Sequence, residues 1–191
     1  MNSKKNKGNE DLPLYEIFAT AILNFLDFLR NFSVYEMAHW IMFSTRWIKS
    51  KTTTDNIQGY KRGTILFVDL GADNFGHEPS YMHPGIVLDE NRNNILIAPC
   101  SSKKYGRALS DVIDAEISDG FSSSTGVQVG SIRWISKNRV LSRLGKASSS
   151  LLDKIDIFML DKIPFYNREI LKYKNEIVLL KKEIEDLKNK N

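Results

Sequence analysis

The stretch GTILFVDLG, Gly63 to Gly71, sets five apolar residues, a threonine and an aspartate between two glycines. A run this short, rich in β-branched residues and bounded by turn formers, predicts a strand. Five further runs of the same kind follow: PGIVLDE (84–90), NNILIAPC (93–100), SDVIDAEI (110–117), TGVQVGSIRWIS (125–136) and RVLSRLG (139–145). Gly, Pro, Asn and Ser separate them, and no helical crossover of the length a parallel sheet needs lies between. The pattern predicts an α+β chain whose residues 61–163 form a small, mainly antiparallel β-barrel.

Upstream, KSKTTTDNIQG (49–59) is polar and Thr-rich and predicts a linker over residues 50–60. Before it the periodicity is helical: Glu16, Thr20, Asn24, Asp27 and Asn31 recur at steps of four, four, three and four, opposite Phe18, Ile22, Phe25, Leu26 and Leu29. Ser33 followed by Glu36 has the form of a capping box and predicts a second helix from about Val34 to Ile48. Residues 12–49 therefore predict a helical hairpin, and the Lys/Asn-rich residues 1–11 a disordered start.

Downstream, Ser150 with Asp153 predicts the cap of a helix through Leu151, Leu152, Ile155, Phe158, Met159 and Ile163 that closes the barrel, ended by Pro164. Then Ile170, Tyr173, Ile177, Leu180, Ile184 and Leu187 step alternately by three and four, a heptad seam that predicts a coiled-coil helix over residues 165–190. Ile at the first core position and Leu at the second favour a parallel dimer.

The 191 residues, 42% of them hydrophobic, suffice for one domain with a core plus appendages. Lys and Arg outnumber Asp and Glu by 27 to 23, a balance that admits a polyanion such as RNA or DNA without requiring one. The single Cys100 excludes an internal disulfide and a cysteine-rich zinc site. Glu16, Asp27, Arg30, Glu36 and Arg46 interrupt the apolar stretch from Leu12 to Ile48, and no secretory signal pattern is evident. The expectation is a soluble, cytoplasmic protein with no membrane partner; the alternative is that the aromatic-rich helices rest on a membrane surface.

No metal-ligand array, phosphate-binding glycine loop, nucleotide fingerprint or nucleophile elbow occurs in the sequence, so neither a metal nor a cofactor is expected. Three clusters at strand ends remain. GHEPSYMHPGIVL (76–88) carries His77, Glu78, Tyr81 and His83; APCSSKKYGR (98–107) carries Ser101, Ser102, Lys103, Lys104, Tyr105 and Arg107; GSIRWISKNR (130–139) carries Arg133. Imidazoles exchange protons near neutral pH. Two of them beside hydroxyls and cations suit cleavage of a phosphodiester by the RNA's own 2′-hydroxyl, a reaction that needs acid, base and phosphoryl donors but no metal. Lys103, Lys104 and Arg107 with Tyr105 interleaved suit a single-stranded backbone and a stacked base.

In order and spacing these segments resemble the PemK/MazF toxins of bacterial type II toxin–antitoxin systems. KRGTILFVDLG (61–71) looks like that family's opening strand, GHEPSYMHPGIVL its Gly-x-Glu to Arg-Pro segment, IAPCSS (97–102) its Pro-x-Thr-Ser strand end, and SIRWISKNRVLSRLG (131–145) its Ile-Arg stretch. The resemblance spans about residues 61–163. It implies an SH3-like barrel that forms a homodimer, cleaves single-stranded RNA without metal in a groove shared by two subunits, and is blocked by a small antitoxin protein. It maps the family's functional histidine onto His77 and its hydroxyls onto Ser101 and Ser102.

Three positions depart from it: the family arginine is His83, and an arginine and an aspartate of the PemK branch are Gln128 and Gly130. The sequence expectation is thus an endoribonuclease. His83, His77 and Ser101 are its catalytic residues, and Ser102, Glu78, Tyr81, Lys104, Arg107 and Arg133 hold substrate. The alternative is a barrel that kept the fold but lost the chemistry and serves as an RNA-binding or protein-assembly module.

Overall fold

The computed structural model describes residues 8–53 and 55–188, without the side chains of Asn9, Phe165 and Asn167. The chain forms two compact units, one comprising residues up to Thr53 with Gly71–Asp73, the other the remainder. Residues 1–7, which carry most of the expected disordered start, lie outside the described residues, and Gly8–Glu10 form a 3-10 turn.

In the first unit, α1 (Leu12–Leu29) and α2 (Val34–Ser50) follow the two sequence periodicities. Asp11 caps α1 by accepting the Leu14 amide at 3.2 Å. The capping box at α2 is complete: Ser33 Oγ accepts the Glu36 amide at 3.2 Å, and the Glu36 carboxylate accepts the Ser33 amide at 2.9 Å. The rings of Phe25 and Trp40 meet at 5.1 Å. Helical spacing gathers Glu16, Thr20, Asn24 and Asp27 on one narrow stripe, and apolar side chains cover the rest of α1, with Leu12 and Ile17 exposed by more than two-thirds. The acidic residues that interrupt the sequence therefore leave most of the surface apolar. By length and composition α1 is long and apolar enough to cross a membrane.

The second unit holds seven strands: β1 (Thr64–Asp69), β2 (Met82–Glu90), β3 (Asn94–Ser101), β4 (Val112–Ala115), β5 (Thr125–Gln128), β6 (Arg133–Ser136) and β7 (Val140–Lys146). The long run TGVQVGSIRWIS becomes two strands, because a 3-10 turn at Val129–Ser131 breaks it. All pairings are antiparallel, in the order β4-β5-β3-β2-β1-β7, with β6 added on β3. The expected small antiparallel barrel with a closing helix is present; strand pairing leaves its sheet open, with β4 and β7 at its ends.

A helix, α3 (Ser149–Lys162), serves both ends of the sheet. Its Leu151 and Ile155 are fully buried in one cluster with Ala115 of β4 and Ala147, which follows β7. The cap is Ser148 rather than Ser150: its hydroxyl accepts the Leu151 amide at 3.1 Å and donates to Asp119, so the helix begins earlier, at Ser149. Arg62 ties α3 to the sheet, donating to the Leu88 carbonyl at 2.8 Å and pairing with Asp156.

Period-two alternation buries both faces of the central strands. Ile65, Ile86, Leu88, Ala98 and Cys100 face the α3 side, while Leu66, Val68, Val87, Ile95 and Ile97 pack with Tyr60 and Ile135. Asn56 and Tyr60, at the end of the stretch read as linker, are held against this second layer. Asn56 donates to Asn138 at 2.7 Å, and the Tyr60 amide donates to Glu90 Oε2 at 2.8 Å. That same oxygen accepts from the buried Lys137 ammonium at 2.9 Å. A last helix, α4 (Pro164–Lys188), is separated from α3 by Ile163 alone, with proline at its first position.

Candidate active site at the parting of β2 and β3

Strand β3 changes partners along its length. Gly85 pairs with Pro99, but Cys100 and Ser101 pair with Val127 and Gly126 of β5. Strand β2 meanwhile keeps to β1, with His83 opposite Val68. The two strands part where His83 and Ser101 sit, and the histidine ring bridges the opening: His83 Nδ1 donates to the Cys100 carbonyl at 3.1 Å. A carbonyl only accepts, so Nδ1 carries the hydrogen and a neutral ring keeps its lone pair on Nε2.

Burial holds the His83 pKa below its ordinary 6.5, and the positive charge of Lys103 pushes the same way. Hydrogen bonds to the Cys100 and Ser80 backbone oppose the shift without reversing it. The shift favours the uncharged ring over the imidazolium. His83 does not replace the permanent cation of an arginine.

Ser101 ends β3, and Ser102–Lys104 follow as a 3-10 turn. The turn lies against β5 because residue 126 has no side chain: a Cβ there would come within 2.9 Å of the Lys104 backbone and 2.8 Å of Val112 Cγ1. Past the turn, the Gly106 amide donates to both carboxylate oxygens of Asp114, at 3.0 and 3.1 Å. The Tyr105 hydroxyl donates to Glu116, which also accepts from Ser124 Oγ at 2.7 Å. The bonds from Tyr105 and Ser124 hold the Glu116 carboxyl below its usual range, and the bond to Glu116 raises the pKa of the Tyr105 hydroxyl. Tyr105, read as interleaved with the cations to stack a base, is thus anchored to β4's end. Arg107 stays exposed beyond it.

The third component is the connection between β1 and β2, residues 70–81. Its base is closed by the Leu70 amide donating to the Tyr81 carbonyl at 2.8 Å, and Asn74 Nδ2 spans it, donating to the carbonyls of Leu70 and Pro79 at 3.2 and 2.6 Å. Tyr81 has φ of 66°, the left-handed region that a tyrosine enters only at a cost of about 1–2 kcal/mol. That strain lies two residues before His83. Glu78 reaches Arg133 of β6 at 3.6 Å, so these two sequence-named residues meet each other. His77 is exposed, and its side chain makes no hydrogen bond or ion pair with any described residue.

The structure therefore gathers His83, Ser101 and Lys103 at one strand parting, with Ser102 and Lys104 on the adjoining turn and Tyr81 at the loop base. No contact joins His77 to His83. Sequence reasoning missed the influence of Lys103 on His83, for which the adjacent lysine pair was the available signal. It also missed Asp111: a Cβ on Gly130 would lie 2.8 Å from Asp111 Oδ2, so the volume a side chain at 130 would fill already holds a carboxylate. Nothing in the spacing of 111 and 130 signals this. Among the described residues no three His, Cys, Asp or Glu side chains come together as a metal site would need.

The class is thus a small β-domain: an open antiparallel sheet spanned by one helix, with imidazole, hydroxyl and ammonium groups at the end of a central strand. The chain belongs to the PemK-like, MazF-like toxin family of type II toxin–antitoxin systems, whose family model matches residues 61–158, just over half its length. Similar solved structures include MazF (Form-I) from Deinococcus radiodurans, 16% identical with a TM-score of 0.45, covering 55% of this chain and 94% of that one. Mycobacterium tuberculosis toxin MazF-mt6 is 14% identical with a TM-score of 0.39, covering 55% and 96%. An endoribonuclease in complex with its cognate antitoxin from Mycobacterial species is 15% identical with a TM-score of 0.40, covering 53% and 90%. No curated protein matches the chain.

Proposed function

We propose that this protein is an endoribonuclease toxin that cuts single-stranded RNA in the cytoplasm through the RNA's own 2′-hydroxyl, without a metal. The observation that carries the proposal is the neutral His83 ring beside Ser101 and Lys103, on a chain of a toxin family. His83 Nε2 takes the 2′-hydroxyl proton as the 2′-oxygen bonds to phosphorus. The bond from phosphorus to the 5′-oxygen then breaks, and His77 returns a proton to that oxygen, leaving a 2′,3′-cyclic phosphate and a 5′-hydroxyl. Ser101 and Lys103 donate to the non-bridging oxygens and offset their growing charge. Ser102, Lys104 and Arg107 track the backbone, Tyr81 offers its ring to a base, and the Glu78–Arg133 pair borders the groove. A homodimer is the working form, and a small antitoxin protein is the partner that occupies the groove.

Incubation with mixed-sequence single-stranded RNA in EDTA tests the reading. Cleavage is expected, reduced about 100-fold or more by His83→Ala. Undiminished cleavage by that variant overturns the mechanism. Because His83 lacks the charge of an arginine, a second reading is an RNA-binding or assembly module without activity. RNA binding with no cleavage, and no growth arrest on expression, would select it.

A further inference from the structure

Helix α4 lies outside the family match and carries an apolar seam with nothing over it: Tyr173, Ile177, Leu180, Ile184 and Leu187 are each 51–57% exposed. With Ile170, Ile177 and Ile184 at the first core position of the heptad, the residues just before them are Glu169, Glu176 and Glu183. The residues four places after are Lys174, Lys181 and Lys188. All three glutamates flank one side of the seam and all three lysines the other. In a parallel pair each such glutamate faces the lysine five residues on in the partner, giving Glu169 with Lys174, Glu176 with Lys181 and Glu183 with Lys188 from either helix. In an antiparallel pair glutamate faces glutamate and lysine faces lysine.

We infer that α4 pairs with α4 of a second copy of this chain as a parallel, in-register two-stranded coiled coil. The charges specify both the occupant and its direction, since the surface is complementary to itself only in that arrangement. Isoleucine at all three first core positions, with leucine at two of the second, Leu180 and Leu187, favours the same stoichiometry from packing. Three heptads make a short coil, and fusion to folded domains raises the effective concentration of the two strands. Because Pro164 starts α4 directly after α3, a parallel pair sets both β-domains at one end of a rod about 37 Å long. The inference is independent of any activity toward RNA.

Cross-linking tests it in the full chain. The native Cys100 is fully buried, so Leu187→Cys places one accessible thiol near the far end of the seam. Mild oxidation of that chain is expected to give a disulfide-linked dimer, whereas Lys182→Cys, on the outer face, gives far less. An antiparallel pair holds the two 187 positions on the order of 25 Å apart and gives none. Replacing Lys174, Lys181 and Lys188 with Glu in the Leu187→Cys chain should slow linkage roughly tenfold or more. Mixing it with a Leu187→Cys chain whose Glu169, Glu176 and Glu183 are Lys should restore linkage as the mixed dimer. Failure of Leu187→Cys to link above the Lys182→Cys control overturns the inference, as does indifference of linkage to the charge reversals.

Discussion

His83 is held neutral by its surroundings, and this governs what the strand parting is able to do. Its titration followed by NMR should show a midpoint below 6.5, and Lys103→Ala should raise that midpoint by removing a nearby positive charge. An unchanged midpoint would dissociate the two residues. The linkage has a definite sign. The folded chain disfavours the protonated ring, so the stability His83 contributes is complete above about pH 6.5 and is lost as pH falls through the folded midpoint. Urea unfolding at pH 7.5 and pH 5 should therefore show an acid-side loss that is smaller in His83→Gln. Burial likewise pushes the Cys100 thiol far up, so iodoacetamide should label it only in urea. At this scale His83 and Ser101 are legible in the sequence because motif order names them. The neutrality of one and the nearness of Lys103 are not, because both arise from burial and from distances through space.

Among the elements, α3 and the turn after β3 position the most. Leu151 is fully buried where α3 meets both ends of the open sheet, so Leu151→Ala should cost about 2–5 kcal/mol in urea unfolding. A loss under 1 kcal/mol would show that the helix is only a loose cover. Gly126→Ala should act differently, since the new methyl group would press on the Lys104 backbone and move the turn that carries Ser102 and Lys103. The expected outcome is a larger fall in RNA cleavage than in stability; an unaffected rate would mean the turn takes no part. The strands themselves were readable from period-two alternation between turn residues. Their number was not, because the break at Val129–Ser131 lies inside a stretch, residues 125–136, that reads as one run. The true cap of α3 was equally hidden, since Ser148 owes its role to Asp119, a residue 29 positions away.

For the whole molecule, charge is modest and locally divided. The net charge is +4, and the basic segment 103–107 is bordered by Asp114 and Glu116, while Arg133 is paired with Glu78. On the proposed reading, the cations of this segment that meet phosphates are Lys103, Lys104 and Arg107. The affinity for single-stranded RNA should therefore fall with salt at a log–log slope of about −2. A slope near −5 would require a basic surface beyond this segment. The sequence by itself determined the class of structure and its order: two capped helices, a run of short antiparallel strands, a closing helix and a heptad tail. Periodicity and capping are local, and local rules read them. Only the tertiary structure decided that the sheet stays open, that Asn56 and Tyr60 are held against it and that Tyr105 is tied down. It alone decided that Asp111 fills the space over Gly130 and that the His83 of HPGIVL is an uncharged ring on the Cys100 carbonyl. Each of these depends on which distant segments share a volume, and energy in a packed, partly desolvated interior follows distance in space rather than along the chain.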